Sequence, residues 1–289
     1  MGSRAGALFV AAAILAVPSA LAQTVLAPTV FRGVDLPSNT VKTFSVSCPT
    51  GYVAASGGLS SAGPGVAVLR AQPAGIGAFA FRLGNPAGSP ARRAVVAVAC
   101  RRLRAETGPG ASLELKPLQP RPLVIAPAAR RSAMLTCPAG TAPAGAGVDL
   151  APSLQGPTVG FAGTQLSVRK TTAGLRSFSF AVRNSGGAAR KVVLSGNCIT
   201  VVSKPGAPRE QLRVNVTTFK GLVGPGRRSI TRRCPSGWFS LASGYSLPRS
   251  SLALQGSAAV TGGGRWTVVN SGADSTRLVL QLVCGRLAR

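Results

Sequence analysis

The stretch Cys48-Pro49-Thr50-Gly51 begins a pattern that occurs three times in the chain of 289 residues. The second and third copies open at Cys137-Pro138-Ala139-Gly140 and at Cys234-Pro235-Ser236-Gly237. Each copy continues with a glycine ten residues after the opening Cys, an aromatic run that ends in Asn, and an apolar run that ends in a second Cys. These positions are Gly58, Asn85 and Cys100, then Gly147, Asn184 and Cys198, then Gly244, Asn270 and Cys284. Near-constant spacing over three copies predicts a repeated structural unit.

Apolar residues alternate with polar ones before each Asn and each second Cys, which is typical of half-buried β-strands. Trp266 stands where the other copies have Phe81 and Phe180, so we expect this aromatic position to lie in a core. Almost no segment has apolar residues at helical spacing. We therefore predict an all-β chain of three tandem small antiparallel β-sandwich modules. An Ig-like topology is the first expectation and a β-barrel or jelly-roll variant is the alternative.

Two turns are predicted in each copy. Pro49 fixes the φ angle that the second position of a β-turn requires, and Gly51 then takes the fourth position of a type I turn. Asn85 and its equivalents are expected in a second turn, because Asn tolerates left-handed backbone angles.

The N-terminal residues 1–22 have the composition of a signal peptide, with Arg4, an apolar run and a cleavage site after Ala22. The apolar run is shorter than the roughly 20 residues of a membrane-spanning helix. We expect a secreted protein without a transmembrane anchor. Gly-Pro-rich boundaries predict a first β module over 23–106, a second over 107–207 and a third over 208–289. Short linkers would hold these modules as beads with limited freedom.

Six cysteines, two in each copy, predict one disulfide inside each module. The expected pairs are Cys48–Cys100, Cys137–Cys198 and Cys234–Cys284. Each would stabilise the fold by about 4 kcal/mol through the loop that it closes. A metal site is the alternative, but the chain contains no histidine and no Cys-x-x-Cys spacing.

The chain carries 33 Lys and Arg against 6 Asp and Glu, a formal net charge of +27. One set of cations precedes the second Cys of a copy by seven or eight residues, and another precedes the opening Cys by six or seven. These candidate polyanion-binding residues are Arg92, Arg93, Arg190 and Lys191 in the first set, and Arg130, Arg131, Arg227 and Arg228 in the second. Acidic polysaccharide or the cell envelope would be the partner. Charge that only solubilises the surface, in an Arg-rich composition, is the alternative.

Several function classes are disfavoured. Without histidine, general acid–base chemistry would need a tuned carboxylate, and the six carboxylates never recur at an equivalent place. The chain has no Gly-x-Ser-x-Gly elbow and no phosphate-binding loop. We expect no catalysis, no cofactor and no metal. Specific nucleic-acid recognition is not expected, because helix-turn-helix, zinc-finger and RNP patterns are absent. The second copy has extra residues between Leu150 and Gly174, which we interpret as a longer loop.

The combination of Cys-Pro-x-Gly, glycine at plus ten, an aromatic run to Asn and a terminal apolar strand to Cys resembles uncharacterised modules of secreted bacterial proteins. Such modules occur in actinobacterial secreted proteins and at the ends of bacterial collagen-like chains. The resemblance implies an extracellular β module without an established activity. This chain lacks a Gly-x-y tract, and Phe81 and Phe180 replace the Trp expected before Asn.

The sequence thus predicts a non-catalytic secreted bacterial protein for extracellular surface or matrix interaction, with polyanion binding through its Arg clusters. The alternative is a cationic factor that acts on envelopes or membranes. An amphipathic basic helix would be expected for that activity, and the sequence shows none.

Overall fold

The computed structural model describes residues 24–63, 65–104, 110–150, 165–170, 176–184, 186–206, 209–247, 252–260 and 262–288. The predicted signal peptide, and most of the longer loop between Leu150 and Gly174, lie outside these residues. Regular structure in the described residues is entirely β. None of the described segments forms a helix with the length and apolar character needed to cross a bilayer.

The described strands fall into three groups in chain order, which we name repeats 1, 2 and 3. Repeat 1 contains β1 (Thr24–Leu26), β2 (Thr29–Leu36), β3 (Thr40–Ser47), β4 (Val53–Ala62), β5 (Ala67–Pro73), β6 (Ala78–Asn85) and β7 (Arg92–Arg104). Repeat 2 contains β8 (Ala111–Pro117), β9 (Arg121–Ile125), β10 (Arg130–Thr136), β11 (Ala142–Asp149), β12 (Gln165–Lys170), β13 (Arg176–Arg183) and β14 (Arg190–Ser203). Repeat 3 contains β15 (Gln211–Val223), β16 (Gly226–Arg233), β17 (Phe239–Ser246), β18 (Leu252–Val260), β19 (Gly263–Asn270) and β20 (Thr276–Ala288).

Every repeat has the same two antiparallel sheets. In repeat 1, β7 pairs with β1 and β2 on one side and with β4 on the other, and the second sheet has the order β3-β6-β5. In repeat 2, β14 pairs with β8 and β9 on one side and with β11 on the other, and the second sheet has the order β10-β13-β12. In repeat 3 the two sheets have the orders β15-β20-β17 and β16-β19-β18. The aromatic residues Phe81, Phe180 and Trp266 are fully buried. The predicted all-β antiparallel fold and its aromatic core positions are confirmed.

The three predicted disulfides are also confirmed, as Cys48–Cys100, Cys137–Cys198 and Cys234–Cys284. In each repeat the opening Cys directly follows a strand of one sheet, and the second Cys lies within the central strand of the other sheet. The bond therefore ties the two sheets of a repeat together at one end, which we call the disulfide end.

The turn after each opening Cys differs from its predicted form by one position. The main-chain nitrogen of Tyr52 donates to the oxygen of Pro49 at 3.1 Å, so Pro49 is the first residue of the turn. Gly51, at the third position, has a φ of 81°. Positive φ at this position alone defines a type II turn, which favours glycine. Gly140 and Gly237 repeat this geometry, with φ angles of 73° and 74°.

The sheets continue from one repeat into the next. β5 of repeat 1 pairs with β11 of repeat 2, and β12 of repeat 2 pairs with β17 of repeat 3. β18 of repeat 3 lies edge to edge with β4 of repeat 1. The three repeats therefore close into a ring. The sequence prediction of beads on short linkers did not include these shared sheets.

The glycine at plus ten makes each of these junctions possible. A Cβ atom on Gly147 would collide with the main-chain oxygen of Ala71 in repeat 1. A Cβ on Gly58 would collide with the oxygen of Ser257, and one on Gly244 would lie 2.5 Å from the oxygen of Leu166. Only a residue without a side chain lets the two strand edges approach this closely. The recurrence of this glycine thus reflects contact between repeats.

Candidate functional site

A buried Asn organises one end of each repeat, and it begins a turn as predicted but without the left-handed backbone angles on which that prediction was based. Asn184 lies next to the end of β13 without left-handed backbone angles, and its side chain points into the protein. Its Nδ2 donates to the main-chain oxygens of Ile125, Ala126 and Ala188, over 3.1, 3.2 and 2.8 Å. Its Oδ1 accepts from the nitrogen of Gly186. The amide therefore ties two separate loops to the end of a central strand.

The other repeats use the same arrangement. Asn85 Nδ2 donates to the oxygens of Leu36, Pro37 and Pro90. Asn270 Nδ2 donates to the oxygens of Val223 and Asp274, both at 2.8 Å. A primary amide contributes more to the stability of the fold when it is buried with its protons hydrogen-bonded than when it lies in a turn exposed to water. The sequence predicted the turn at this Asn but not the bonds from its side-chain amide to the neighbouring loops.

In repeat 2 this Asn brings the two predicted basic clusters together. Ile125, whose oxygen Asn184 binds, is the ladder partner of Arg190 at the start of β14. The main-chain nitrogen of Asn184 donates to Ala129, which directly precedes Arg130 at the start of β10. Arg190 with Lys191 and Arg130 with Arg131 therefore flank the same end of one sandwich.

Repeats 1 and 3 place their cations equivalently. Arg92 pairs with Leu36, whose oxygen binds Asn85, and Arg93 follows it. In repeat 3, Arg227 and Arg228 begin the strand equivalent to β10. Arg277, which the sequence places seven residues before Cys284, lies at the position equivalent to Arg93 and Lys191. The structure adds Lys42, at the position equivalent to Arg131 and Arg228, and counting back six residues from Cys48 would have found it.

All these clusters lie at one end of the ring. β5 runs antiparallel to β11, and β12 runs antiparallel to β17, so equivalent strands of successive repeats point the same way. Equivalent positions therefore share an end, opposite the disulfide end. We name this end the basic end, and its cations are Lys42, Arg92, Arg93, Arg130, Arg131, Arg190, Lys191, Arg227, Arg228 and Arg277.

Few carboxylates compensate this charge. Arg92 and Arg190 are half-buried, and the other cations of the basic end are exposed. Asp35 lies opposite Arg93 on the ladder, and Asp274 lies in the loop that binds Asn270. Asp149 pairs with Val193 on the ladder, two residues from Lys191, but its carboxylate forms ion pairs with Arg70 and Arg82 at the junction between repeats 1 and 2. Clustered charge of one sign creates a potential that attracts polyanions.

The cations at the disulfide end include two in specific contacts with aromatic rings. Arg102 lies over Tyr52 at 5.9 Å, and Arg286 lies over Trp238 at 5.0 Å. The two pairs occupy equivalent positions in repeats 1 and 3. The cation's position in repeat 2 is held by Thr200, whose hydroxyl donates to the main-chain oxygen of Gly140. The disulfide end also holds exposed cations, Lys116, Arg213, Arg233 and Arg265, which offer a control surface for the basic end.

A groove of about 500 Å³ lies at the outer seam of repeat 2, between residues 118–122 and 134–136. Its polar side chains include Arg121, which donates from Nη1 to the main-chain oxygen of Met134 at 3.3 Å. Within the described ranges, no group of three or more His, Cys, Asp and Glu side chains could hold a metal ion.

Comparison with known proteins gives no family assignment. No model of a known protein family matches the chain, and no curated protein has a detectably similar sequence.

Proposed function

We propose that the protein is a non-catalytic extracellular protein that binds anionic polymers of a cell envelope or matrix through its basic end. The observation that carries the proposal is the convergence of cations around a buried Asn at one end of every repeat, with both Arg-rich sets complete in repeat 2 and three cations in each of repeats 1 and 3. Three disulfides are typical of proteins from oxidising compartments. The resemblance to modules of secreted bacterial proteins agrees with this location.

The basic end suits a long anionic chain better than a small ligand. Its clusters belong to three repeats around a ring, so one polymer can engage several clusters at once. Each contact alone is weak because the side chains are exposed, and several contacts on one chain gain avidity. Binding of this kind weakens as salt rises, since the Debye length falls from about 10 Å at 0.1 M to about 3 Å at 1 M.

The proposal is tested with alginate, a carboxylate polysaccharide, and the mature protein. One variant removes four exposed cations of the basic end, Arg93→Gln, Arg131→Gln, Lys191→Gln and Arg228→Gln. The matched variant removes three Arg and one Lys of the disulfide end, Lys116→Gln, Arg213→Gln, Arg233→Gln and Arg265→Gln. Both variants have the same net charge, so a difference between them reports the location of the site.

Fluorescence anisotropy of labelled alginate would be recorded at two salt concentrations. We expect the basic-end variant to bind about tenfold more weakly at low salt, and the disulfide-end variant to stay within about threefold of the parent protein. Equal weakening in both variants would mean that net charge alone attracts the polymer. No binding by the parent protein would leave solubilisation as the role of the charge.

A further inference from the structure

Exposed aliphatic side chains accompany the cations of the basic end, one in each repeat. Leu222 is 70% exposed, Val124 is 61% exposed and Val41 is 42% exposed. Val124 is the ladder partner of Lys191, and Leu222 is the ladder partner of Arg277. Val41 directly precedes Lys42 at the start of β3. In repeats 2 and 3 the aliphatic side chain therefore lies beside a cation of the neighbouring strand. In repeat 1 the two residues are consecutive, so the Val41 and Lys42 side chains leave opposite faces of β3 at the same end.

These three side chains lie on the outermost strands of their sheets. β9 and β15 each border the outer edge of one sheet, and β3 borders the outer edge of another. The other exposed large apolar residues are Ile76 and Val202 at the disulfide end, Met134 in the half of β10 that leads to Cys137, and Phe31 in the middle of β2. The combination of cation and exposed aliphatic residue thus recurs at the basic end in all three repeats.

We propose that the basic end binds the surface of an anionic lipid bilayer. The inference rests on the proposed function of the basic end and goes beyond it by giving the same site a second partner of different chemistry. A hydrophilic polymer contacts cations but gains nothing from an adjacent aliphatic side chain. A lipid bilayer suits both the cations and the aliphatic side chains, because its anionic headgroups attract Lys and Arg while the region between headgroups and acyl chains accepts Val and Leu. Three aliphatic residues around a ring provide a three-point contact that orients the basic end towards the bilayer.

This mode of binding needs no amphipathic helix. A β-sheet edge that ends in a cation and an aliphatic residue offers the same two chemistries on a rigid frame. The buried Asn residues hold the loops beside those edges, so the contact points are arranged before binding.

The test uses sedimentation of the mature protein with vesicles. One set contains phosphatidylglycerol and phosphatidylcholine in equal amounts, and the other contains phosphatidylcholine alone. The apolar variant carries Val41→Ser, Val124→Ser and Leu222→Ser. Its matched control carries Phe31→Ser, Ile76→Ser and Val202→Ser, which are exposed apolar residues away from the basic end. Circular dichroism confirms that each variant is folded, and alginate binding is measured on the same samples.

We expect the parent protein to sediment with the anionic vesicles and not with the neutral ones. The apolar variant should bind anionic vesicles about tenfold more weakly, with its alginate binding unchanged, and the control should match the parent protein. Unchanged vesicle binding by the apolar variant would overturn the proposal. Alginate binding without vesicle binding would also overturn it while leaving the proposed function intact. If the parent protein bound neither alginate nor anionic vesicles, both the proposed function and this inference would be rejected.

Discussion

Arg101 of repeat 1 donates from Nε to the main-chain oxygen of Ser240 of repeat 3 at 2.9 Å, and from Nη2 to Ser240 Oγ at 2.7 Å. Its Nη1 donates to the oxygen of Cys100 at 2.8 Å. The side chain is fully buried, and none of the described carboxylates lies within ion-pair distance. Burial lowers the pKa of Arg101 to about 10, so the guanidinium remains charged at neutral pH.

This contact distinguishes the junction that closes the ring. The equivalent positions in the other repeats are Ile199 and Gly285, which cannot form it. Arg227 of repeat 3 makes a second bond across the same junction, from Nη2 to the oxygen of Ala62 at 3.0 Å. Buried polar contacts of this kind fix register in some proteins. We infer that Arg101 specifies which repeats meet when the ring closes.

Arg101→Lys should lower the free energy of unfolding by about 2 kcal/mol. An ammonium keeps the charge but cannot donate to three oxygens in the directions that the planar guanidinium reaches. Arg102→Lys, at the exposed neighbouring position, is the control and should change stability by less than about 0.5 kcal/mol. The measurement is urea unfolding monitored by Trp fluorescence. Equal stability of the two variants would show that the Ser240 contact contributes nothing.

Asn184→Ala should destabilise the protein by about 3 kcal/mol, because it leaves the buried oxygen of Ile125 and the part-buried oxygens of Ala126 and Ala188 without their donor. Asn215→Ala replaces an exposed Asn in a strand and should have little effect. Thermal unfolding by calorimetry compares the two variants under identical conditions. If Asn184→Ala unfolds at the parent temperature, the loops of the basic end do not depend on this amide.

Gly58→Val should destabilise the ring by about 3 kcal/mol, since the new side chain meets the main chain of Ser257 and forces the two edges apart. Gly221→Val is the matched control, because a Cβ on Gly221 has no neighbour within 4 Å. Calorimetry should show one cooperative transition for the parent protein. A Gly58→Val variant as stable as the control would contradict edge-to-edge closure.

The three disulfides should differ in their rates of reduction under native conditions. Cys137 and Cys198 are both buried, whereas Cys48 and Cys234 are partly exposed. Thiol–disulfide exchange requires access to a sulfur atom, so the Cys137–Cys198 bond should be reduced last. Timed treatment with dithiothreitol, alkylation and peptide mass spectrometry give the order. Reduction of this bond first would indicate that repeat 2 opens more readily than its neighbours.

The sequence predicted those features that depend on residues within one copy. Cys48 and Cys100 paired as their recurrence indicated, and Trp266 was buried as its aromatic equivalents suggested. The predicted position of Pro49 in its turn was wrong because the turn was placed by the φ of Pro49, whereas Gly51 supplies the left-handed φ that the third position of a type II turn requires. The turn at Asn184 was predicted, but for the wrong reason, because Asn184 acts through its buried side-chain amide and not through left-handed backbone angles.

The sequence pattern did not predict the contacts between repeats. Edge pairing between β5 and β11 uses main-chain atoms, which leave no alternating signature. Gly58, Gly147 and Gly244 were the available signal, since a glycine recurring within a strand indicates close backbone approach. The basic clusters were identified residue by residue, but their convergence followed only from strand pairing. The sequence pattern did not distinguish Val124 and Leu222 from other apolar residues, and their exposure followed from the edge positions of β9 and β15.

The most direct test of the central claim is arginine modification with phenylglyoxal, read by peptide mass spectrometry on the parent protein with and without alginate. We predict that alginate protects Arg93, Arg131 and Arg228 at the basic end. Arg213, Arg233 and Arg265 at the disulfide end should react at unchanged rates. Equal protection at both ends, or protection of the disulfide end alone, would contradict the assignment of the binding surface.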